Sequence, residues 1–312
     1  MNTLVREIEL PPTEEETKPT RPAALVRAVR NWSVRIGGVS LALLALVSVC
    51  APWIASADPT LLDPANRDLL PGARATVMLS DGTTVSHMFR MGTDSFGRDL
   101  FSRVLHGGRV SLVIGIAVAA FSICAGLVLG LFGGYLRRVD MVLMRVMDGL
   151  MAIPSILLAV SLVALWSASL GSVIAALSIP EVPRVVRLVR SLVLSIREEP
   201  YVEAAIAVGT TTGPLLLRHV LPNTLAPMIV QATYVCASAI LGESILGFLG
   251  LGIPPEIPTW GNLMAEGRLQ FNMYPHAVFF PGLFLTVTVL AVNLLGDGLR
   301  DTLDPRFSRR GL

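Results

Sequence analysis

The chain has 312 residues, of which 53% are hydrophobic and only 15% are charged. A soluble globular domain usually carries about 25% charged residues, so this composition excludes an ordinary soluble domain and indicates a membrane protein with several spans. The formal net charge is +2, which gives little information about binding partners. The positions of the charges are more informative, because long apolar runs separate them.

Six apolar runs are long enough to cross a bilayer, for which a helix needs roughly 20 residues. They cover about residues 36–55, 110–134, 147–166, 172–193, 225–251 and 278–299. The predicted fold is therefore an all-α polytopic membrane protein with about six transmembrane helices. Pro180, Glu181 and Pro183 interrupt the fourth run, and two prolines so close are expected to kink or break a helix.

The basic residues predict the orientation of these helices. If both termini are cytosolic, 18 of the 25 basic residues lie on the cytosolic side, in agreement with the positive-inside rule. This orientation divides the chain into four predicted regions. They are a disordered, basic cytosolic tail at 1–35, the first helix with an extracytoplasmic loop at 36–108, a core domain of membrane helices at 109–300 and a cytosolic tail at 301–312.

Two segments are then expected outside the membrane. The first, at about 58–108, contains two β-prone runs around Asp81-Gly82, which predicts a hairpin. The second, at about 253–275, contains Trp260, an aromatic residue that suits a position at the membrane interface.

The segment 198–223 lies between the fourth and fifth runs, and it is predicted to be cytosolic. Ser195 and Glu198 have the spacing of a capping box, and Pro200 suits the first turn of a helix. A stripe of apolar or small residues at helical spacing follows, at Tyr201, Ala204, Ala205 and Val208. This pattern fits either an ordinary amphipathic interfacial helix or a docking element for a partner protein.

Two glycines divide this segment further. Gly209 permits a close approach of another chain or a helix end. Gly213-Pro214 predicts the start of a second short helix that ends near Pro222, a residue that suits the first turn of the following membrane helix. The expected result is a pair of short helices with small residues on one face.

The order of residues in this segment resembles the EAA loop of the membrane subunits of ABC importers. The resemblance rests on Glu203, Ala204, Ala205, Gly209, His219, Leu221, Pro222 and Asn223. In that family the loop forms short cytosolic coupling helices, which dock into a groove on an ATPase. The resemblance therefore implies that these eight residues couple the chain to an ATPase.

Further motifs extend the resemblance over about residues 36–306. They include Gly92-Thr-Asp-Ser-Phe-Gly-Arg-Asp99, Glu243-Ser-Ile-Leu-Gly-Phe-Leu-Gly-Leu-Gly252 and Asn293-Leu-Leu-Gly-Asp-Gly-Leu-Arg-Asp301. Together they are similar to the C-type permease subunit of the oligopeptide, dipeptide and nickel branch. The resemblance implies a multi-pass protein of the bacterial plasma (inner) membrane that forms a translocation path for peptides. Nickel or another small solute is the alternative cargo.

One segment departs from the family pattern. The family usually has a Gly-Trp pair and an aromatic residue shortly before the Arg-Val-Val-Arg run of the fourth span. Here the run Arg184-Val-Val-Arg187 follows Ile179-Pro-Glu-Val-Pro183 instead. Because of this difference, the resemblance does not determine the geometry of the fourth span or which residues line the path.

The resemblance also implies a set of partners. They are a homologous second permease subunit that forms a heterodimer, two cytosolic ATPase subunits that bind ATP and Mg, an extracytoplasmic substrate-binding protein and membrane lipid. No nucleic-acid partner is predicted. The sequence has no GxxxxGKS/T motif, and its only lysine is Lys18, so the chain is predicted to hold no cofactor and not to be an enzyme.

Outside these motifs, a few residues within the apolar runs are candidates for binding or for helix packing. Glu243 is an acid inside an apolar run, where it either lines the path or pairs with a group in another helix or subunit. The cysteines and histidines are scattered, which predicts no metal site. Gly126 and Gly130 have the GxxxG spacing of close helix packing, although that spacing often arises by chance. A self-contained channel or secondary transporter is the rival class, and the lack of an internal repeat argues against it.

Overall fold

The computed structural model describes residues 29–78, 84–166 and 168–303. The helices are α1 Trp32–Val49, α2 Ala51–Ile54, α3 Leu100–Tyr135, α4 Arg137–Met151, α5 Ser155–Leu165, α6 Leu170–Arg197, α7 Pro200–Ala207, α8 Thr212–Leu215, α9 Leu221–Phe248, α10 Trp260–Gly267 and α11 His276–Leu303. Short 3₁₀ turns lie at Pro64–Asn66 and Arg268–Gln270, and a π-helical turn lies at Leu216–Val220. The strands are β1 Ala73–Met78 and β2 Thr84–Phe89. The predicted all-α membrane fold is confirmed.

Within the described residues, four helical segments are long and apolar enough to cross a membrane. They are α1, α3, the continuous segment Thr212–Phe248 that includes α9, and α11. These segments match the first, second, fifth and sixth predicted runs. Helix α1 begins a few residues earlier than its predicted run, because the Asn31 side chain caps it by accepting a hydrogen bond from the Ser33 backbone N–H at 2.8 Å. Most of the two predicted tails lies outside the described residues.

The third predicted run is not one straight helix. Helices α4 and α5 meet at an angle of 88°. If this bent pair is one span, the described residues hold five candidate spans in place of four. The bend falls at Pro154, which has no backbone N–H and disfavours a helical conformation in the residue before it. Two ion pairs tie α4 to α6, with Arg190 Nη2 2.7 Å from Asp140 Oδ2 and Arg187 Nη2 2.8 Å from Asp148 Oδ1.

Of the kink or break expected in the fourth run, the structure shows no break, and a kink stays a prediction. Helix α6 is continuous over 28 residues, with Pro180 and Pro183 inside it. The two prolines are three positions apart and so lie on neighbouring parts of one face, which leaves the hydrogen bonds of the opposite face intact. The first 18 residues of α6 carry Glu181, Arg184 and Arg187, so this helix is less apolar than the four spans above.

Helices α3 and α6 pack closely along a line of glycines. Glycines recur every four residues on α3 and valines every four residues on α6, at Gly126, Gly130, Gly134 and at Val185, Val189, Val193. A Cβ atom added to Gly130 would lie 2.5 Å from Val189 Cβ, and one added to Gly134 would lie 2.7 Å from Val193 Cβ. The GxxxG spacing therefore marks a real helix contact, and it continues for one more turn than the two glycines singled out from the sequence.

A second part of the core joins α3, α9, α10 and α11 around Trp260. The Trp260 side chain is fully buried, and its Nε1 donates a hydrogen bond to the Val104 carbonyl at 3.1 Å. The ring is therefore covered by the protein itself, and its position at the level of the membrane interface stays a prediction. Helix α10 packs against α3, where the indole N–H finds a backbone acceptor and the ring is covered.

The predicted hairpin is present in the segment before α3. Strands β1 and β2 are antiparallel, with Ala73 opposite Phe89 and Val77 opposite Val85. Asp81-Gly82 lies outside the described residues. The strands are followed by the Gly92–Asp99 motif, in which the Asp99 side chain caps α3 by accepting a hydrogen bond from the Ser102 backbone N–H at 3.0 Å.

A buried ion cluster fastens this motif to α10. The Asp94 carboxylate accepts a hydrogen bond from Arg98 Nε at 2.7 Å and also pairs with Arg103. The Glu266 carboxylate lies 2.6 Å from Arg98 Nη2 and 2.7 Å from Arg103 Nη1. Because Arg103 is 1% exposed, the cluster holds two positive and two negative charges almost out of contact with solvent.

Candidate coupling surface

Helix α7 begins where the sequence predicts but without the predicted capping box. Pro200 occupies the first turn, where its missing N–H costs no intrahelical hydrogen bond. Ser195 instead belongs to the end of α6, and Glu198 follows α6 as its carboxyl-terminal cap residue. The capping-box prediction is therefore wrong, because the Ser–x–x–Glu spacing falls at the end of one helix and not at the start of the next.

Gly209 ends α7. Its φ is +90°, a conformation that L side chains rarely adopt. The Gly209 N–H donates to the Ile206 carbonyl at 2.9 Å, and the Thr210 N–H donates to the Ala205 carbonyl at 3.0 Å, which together form a Schellman motif. A Cβ atom at Gly209 would meet nothing within 4 Å. Of the two roles considered for this residue, the structure shows the helix end.

The coupling segment is anchored on one side by buried apolar side chains. Val202, Leu215 and Val220 are fully buried, and Leu216 is 6% exposed. Leu216 and Val220 belong to the same apolar core cluster as Val193 at the end of α6. Through the π-helical turn Leu216–Val220, the second short helix continues directly into α9, so this segment and the membrane helix form one body.

A hydrogen-bonded link joins α7 to the start of α9. The Asn223 Nδ2 donates to the Tyr201 hydroxyl at 3.0 Å and to the His219 carbonyl at 2.7 Å. The Tyr201 and His219 rings lie 6.4 Å apart between centroids. Burial, together with the Glu199 carboxylate, raises the pKa of the Tyr201 phenol, so its hydroxyl stays protonated at neutral pH.

Four large apolar side chains of the segment are exposed, at Tyr201, Ile206, Val208 and Leu217, and this group is here called the coupling surface. Val208 is 87% exposed, Leu217 is 63% exposed and Ile206 is 49% exposed. Glu203 and Arg218 are exposed beside it, and neither makes an ion pair with the residues that the structure describes.

The structure brings most of the sequence-predicted residues to this one place. Glu203 and Ala204 are exposed, Ala205 is half-buried, and Gly209 closes the helix that carries them. Leu221 and Pro222 form the first turn of α9. Sequence reasoning missed the anchor Val202 and the exposed Ile206 and Leu217. For Val202 the sequence did offer a signal, because this residue is apolar and lies next to Tyr201 of the predicted stripe.

Glu243 lies apart from this surface, within α9. It is fully buried, its Oε2 accepts a hydrogen bond from Ser111 Oγ on α3 at 3.2 Å, and its Oε1 has no hydrogen-bond partner among the described residues. Its position inside the chain favours a contact between helices of the same subunit. A role in the path or in an intersubunit contact remains a prediction. No cluster of His, Cys, Asp and Glu suited to a metal ion is found over residues 29–78, 84–166 and 168–303.

Comparison with known proteins identifies the family. The protein-family model described as the binding-protein-dependent transport system inner membrane component matches residues 109–309 of this chain. A probable peptide ABC transporter permease protein of Sinorhizobium fredii is 48% identical over 283 residues, which are 91% of this chain and 92% of that protein. A dipeptide transport system permease protein of Alkalihalophilus pseudofirmus is 38% identical over 300 residues, 95% and 94% of the two chains. A probable D,D-dipeptide transport system permease protein of Escherichia coli is 37% identical over 302 residues, 94% and 97% of the two chains. This chain is a multi-pass inner-membrane protein, and it belongs to the family of binding-protein-dependent transport system inner membrane components.

Proposed function

We propose that this chain is the permease subunit of an ATP-driven peptide importer and that its coupling surface receives an ATPase subunit. The observation that carries the proposal is the group of exposed apolar side chains on and just after α7, which includes Val208 at 87% exposure. A single exposed apolar residue is ordinary, whereas several within one short segment suit a protein interaction site. Small neighbours such as Ala204 let the partner approach closely.

The anchored side of the segment explains how a push on the coupling surface reaches the membrane. ATPase closure displaces α7, and the Asn223 link to Tyr201 carries the displacement to α9. The helix pair at Thr212–Phe248 moves with it as one body. The ATPase thereby biases a membrane element between two arrangements, which open the path to opposite sides.

The remaining partners follow from the same proposal. Two cytosolic ATPase subunits bind ATP and Mg, a homologous second permease forms a heterodimer with this chain, and an extracytoplasmic binding protein delivers the cargo. The names of the relatives support peptides as the cargo, since they include peptide, dipeptide and D,D-dipeptide permeases. Nickel or another small solute is the alternative that a transport assay distinguishes.

The proposal is tested with two matched substitutions. Val208→Asp places a charge on the coupling surface, whereas Leu269→Asp places one on a residue that is 86% exposed elsewhere. We expect Val208→Asp to abolish binding of the ATPase subunits to the purified permease pair and to stop ATP-driven peptide uptake. Leu269→Asp is expected to leave ATPase binding unchanged. Uptake by the Val208→Asp variant at the wild-type rate, or uptake by wild type without ATP, would contradict the proposal.

A further inference from the structure

A buried carboxylate in the middle of α6 has no role in the coupling mechanism. Glu181 is 6% exposed and belongs to the segment that departs from the family pattern. Its Oε1 accepts hydrogen bonds from Ser238 Oγ at 2.9 Å and from Arg184 Nη1 at 3.1 Å, and its Oε2 lies 3.3 Å from the same Arg184 atom. An ionised carboxylate has about four acceptor positions, so Glu181 retains capacity for a further donor.

Glu181 lines a cavity of about 170 Å³ between α5, α6 and α9. The lining includes Ser155, Leu177, Pro180, Glu181, Ser238 and Gly242. Among the described lining residues, Glu181 is the one that carries a charge. A dry cavity of about 150 Å³ holds a benzene molecule, whereas drug-sized ligands occupy about 300–1,000 Å³. The cavity therefore has room for one end of a peptide and not for a whole one.

The cavity lies beside the middle of α6 and is partly open. Glu181 is about 11 residues from the start of α6, or roughly 16 Å along its axis. The cavity lining also includes Leu241 and Ile245, which are 41% and 45% exposed on the surface of this chain. Ionisable residues at membrane depth face the bundle interior or a water-filled cavity and not lipid. An open side that faces the path and not lipid would satisfy this rule for the buried Glu181.

Local electrostatics favour a cation in this cavity. Glu181 supplies the negative charge of the lining, and its carboxylate also pairs with Arg184. The Arg184 side chain is 48% exposed, whereas that of Glu181 is 8% exposed. A bound ammonium group therefore shares the carboxylate with Arg184 or displaces Arg184 toward solvent.

We propose that this cavity is a substrate station, in which Glu181 and Ser238 bind the terminal ammonium group of a peptide in transit. The inference rests on the proposed function and names the part of the cargo that this subunit recognises. An ammonium group carries three donors, and the Glu181 carboxylate and the Ser238 hydroxyl offer acceptor positions for them in the cavity. The same chemistry would accept a basic side chain, and the experiments below separate the two sources.

The first experiment measures the charge preference of the cavity without any transport. In the complex with Cys50, Cys124 and Cys236 replaced by alanine, Ser238→Cys is treated with aminoethyl and with sulfonatoethyl methanethiosulfonate. Each labelling rate is divided by the rate of the same reagent with a free thiol in solution. We expect the normalised rate of the cationic aminoethyl reagent to be at least about tenfold higher than that of the anionic sulfonatoethyl reagent. The preference should vanish in the added Glu181→Gln variant. Absence of labelling, or the same preference without the Glu181 carboxylate, would overturn the proposal.

The second experiment measures uptake by the reconstituted complex with its binding protein. We compare trialanine, which has a free amino terminus and no basic side chain, with an N-acetylated peptide that contains lysine. Glu181→Gln should lower trialanine uptake at least about tenfold with ATPase binding unchanged, whereas Glu256→Gln, on an exposed residue, should not. Wild-type uptake of trialanine by the Glu181→Gln variant would overturn the station. A loss confined to the lysine peptide would overturn the assignment to the terminal ammonium. Failure of the wild-type complex to import either peptide would contradict the proposed function instead, and the thiol experiment would still decide the charge preference.

Discussion

The glycine line between α3 and α6 allows a stability prediction from contact distances alone. In Gly130→Ala, the added Cβ would lie 2.5 Å from Val189 Cβ, 2.8 Å from Val189 Cγ1 and 3.0 Å from the Val186 carbonyl oxygen. Ordinary contacts are about 3.5–4 Å, so the two helices must separate. Overpacking of this kind costs about 1–3 kcal/mol, and the better helix propensity of alanine offsets up to about 1 kcal/mol of it. We therefore expect a net loss of about 1–2 kcal/mol.

The assay is thermal unfolding of the purified protein in detergent or nanodiscs, where each kcal/mol shifts Tm by roughly 2–4 °C. Gly149→Ala is the matched control, since a Cβ there would meet nothing within 4 Å. A double-mutant cycle of Gly130→Ala with Val189→Gly, which removes the opposing Cβ, should show a favourable coupling of about 1 kcal/mol or more. Equal Tm values for Gly130→Ala and Gly149→Ala, or strict additivity in the cycle, would refute the packing argument.

Two further predictions concern the coupling segment and the ion cluster. Gly209→Ala should weaken ATPase binding about 5–30-fold, because a left-handed backbone costs an L residue about 1–2 kcal/mol. Gly213→Ala is the control, since Gly213 has open space around it and no positive φ, and it should leave binding unchanged in the same titration. Equal affinities of the two variants for the ATPase would contradict the role of the helix end. Arg103→Leu should destabilise the protein by about 3–5 kcal/mol, since Asp94 and Glu266 would then share Arg98 alone within the cluster. A melting temperature of Arg103→Leu within 2 °C of wild type, on the scale of roughly 2–4 °C per kcal/mol, would show that the cluster is not needed for stability.

The sequence was sufficient to locate four of the membrane helices, because their long apolar runs have few alternative structures. The position of Pro222 in the first turn of α9 and of Gly209 after α7 were also predictable, since each residue type restricts the backbone locally. The resemblance to the EAA loop supplied the functional interpretation, which apolar spacing alone left open.

The contacts between helices were not predictable in the same way. Pro154 lies at the 88° bend between α4 and α5, whereas α6 is continuous through Pro180. A proline in the sequence therefore does not by itself determine whether a helix ends there. The burial of Trp260 against Val104 was not predictable, since its partner is far away in the sequence. The cavity at Glu181 was invisible for the same reason, because residues of α5, α6 and α9 must come together to form it.

The central claim is that the surface around Val208 contacts an ATPase in the assembled transporter. It is tested most directly by placing the photocrosslinking residue benzoylphenylalanine at position 208, and at position 269 as the control, in cells that make the whole complex. After irradiation of native membranes, mass spectrometry identifies the crosslinked protein. We expect a crosslink to a protein with a phosphate-binding GxxxxGKS/T loop from position 208 and no such crosslink from position 269. Crosslinks from position 208 to lipid alone, or the same products from both positions, would contradict it.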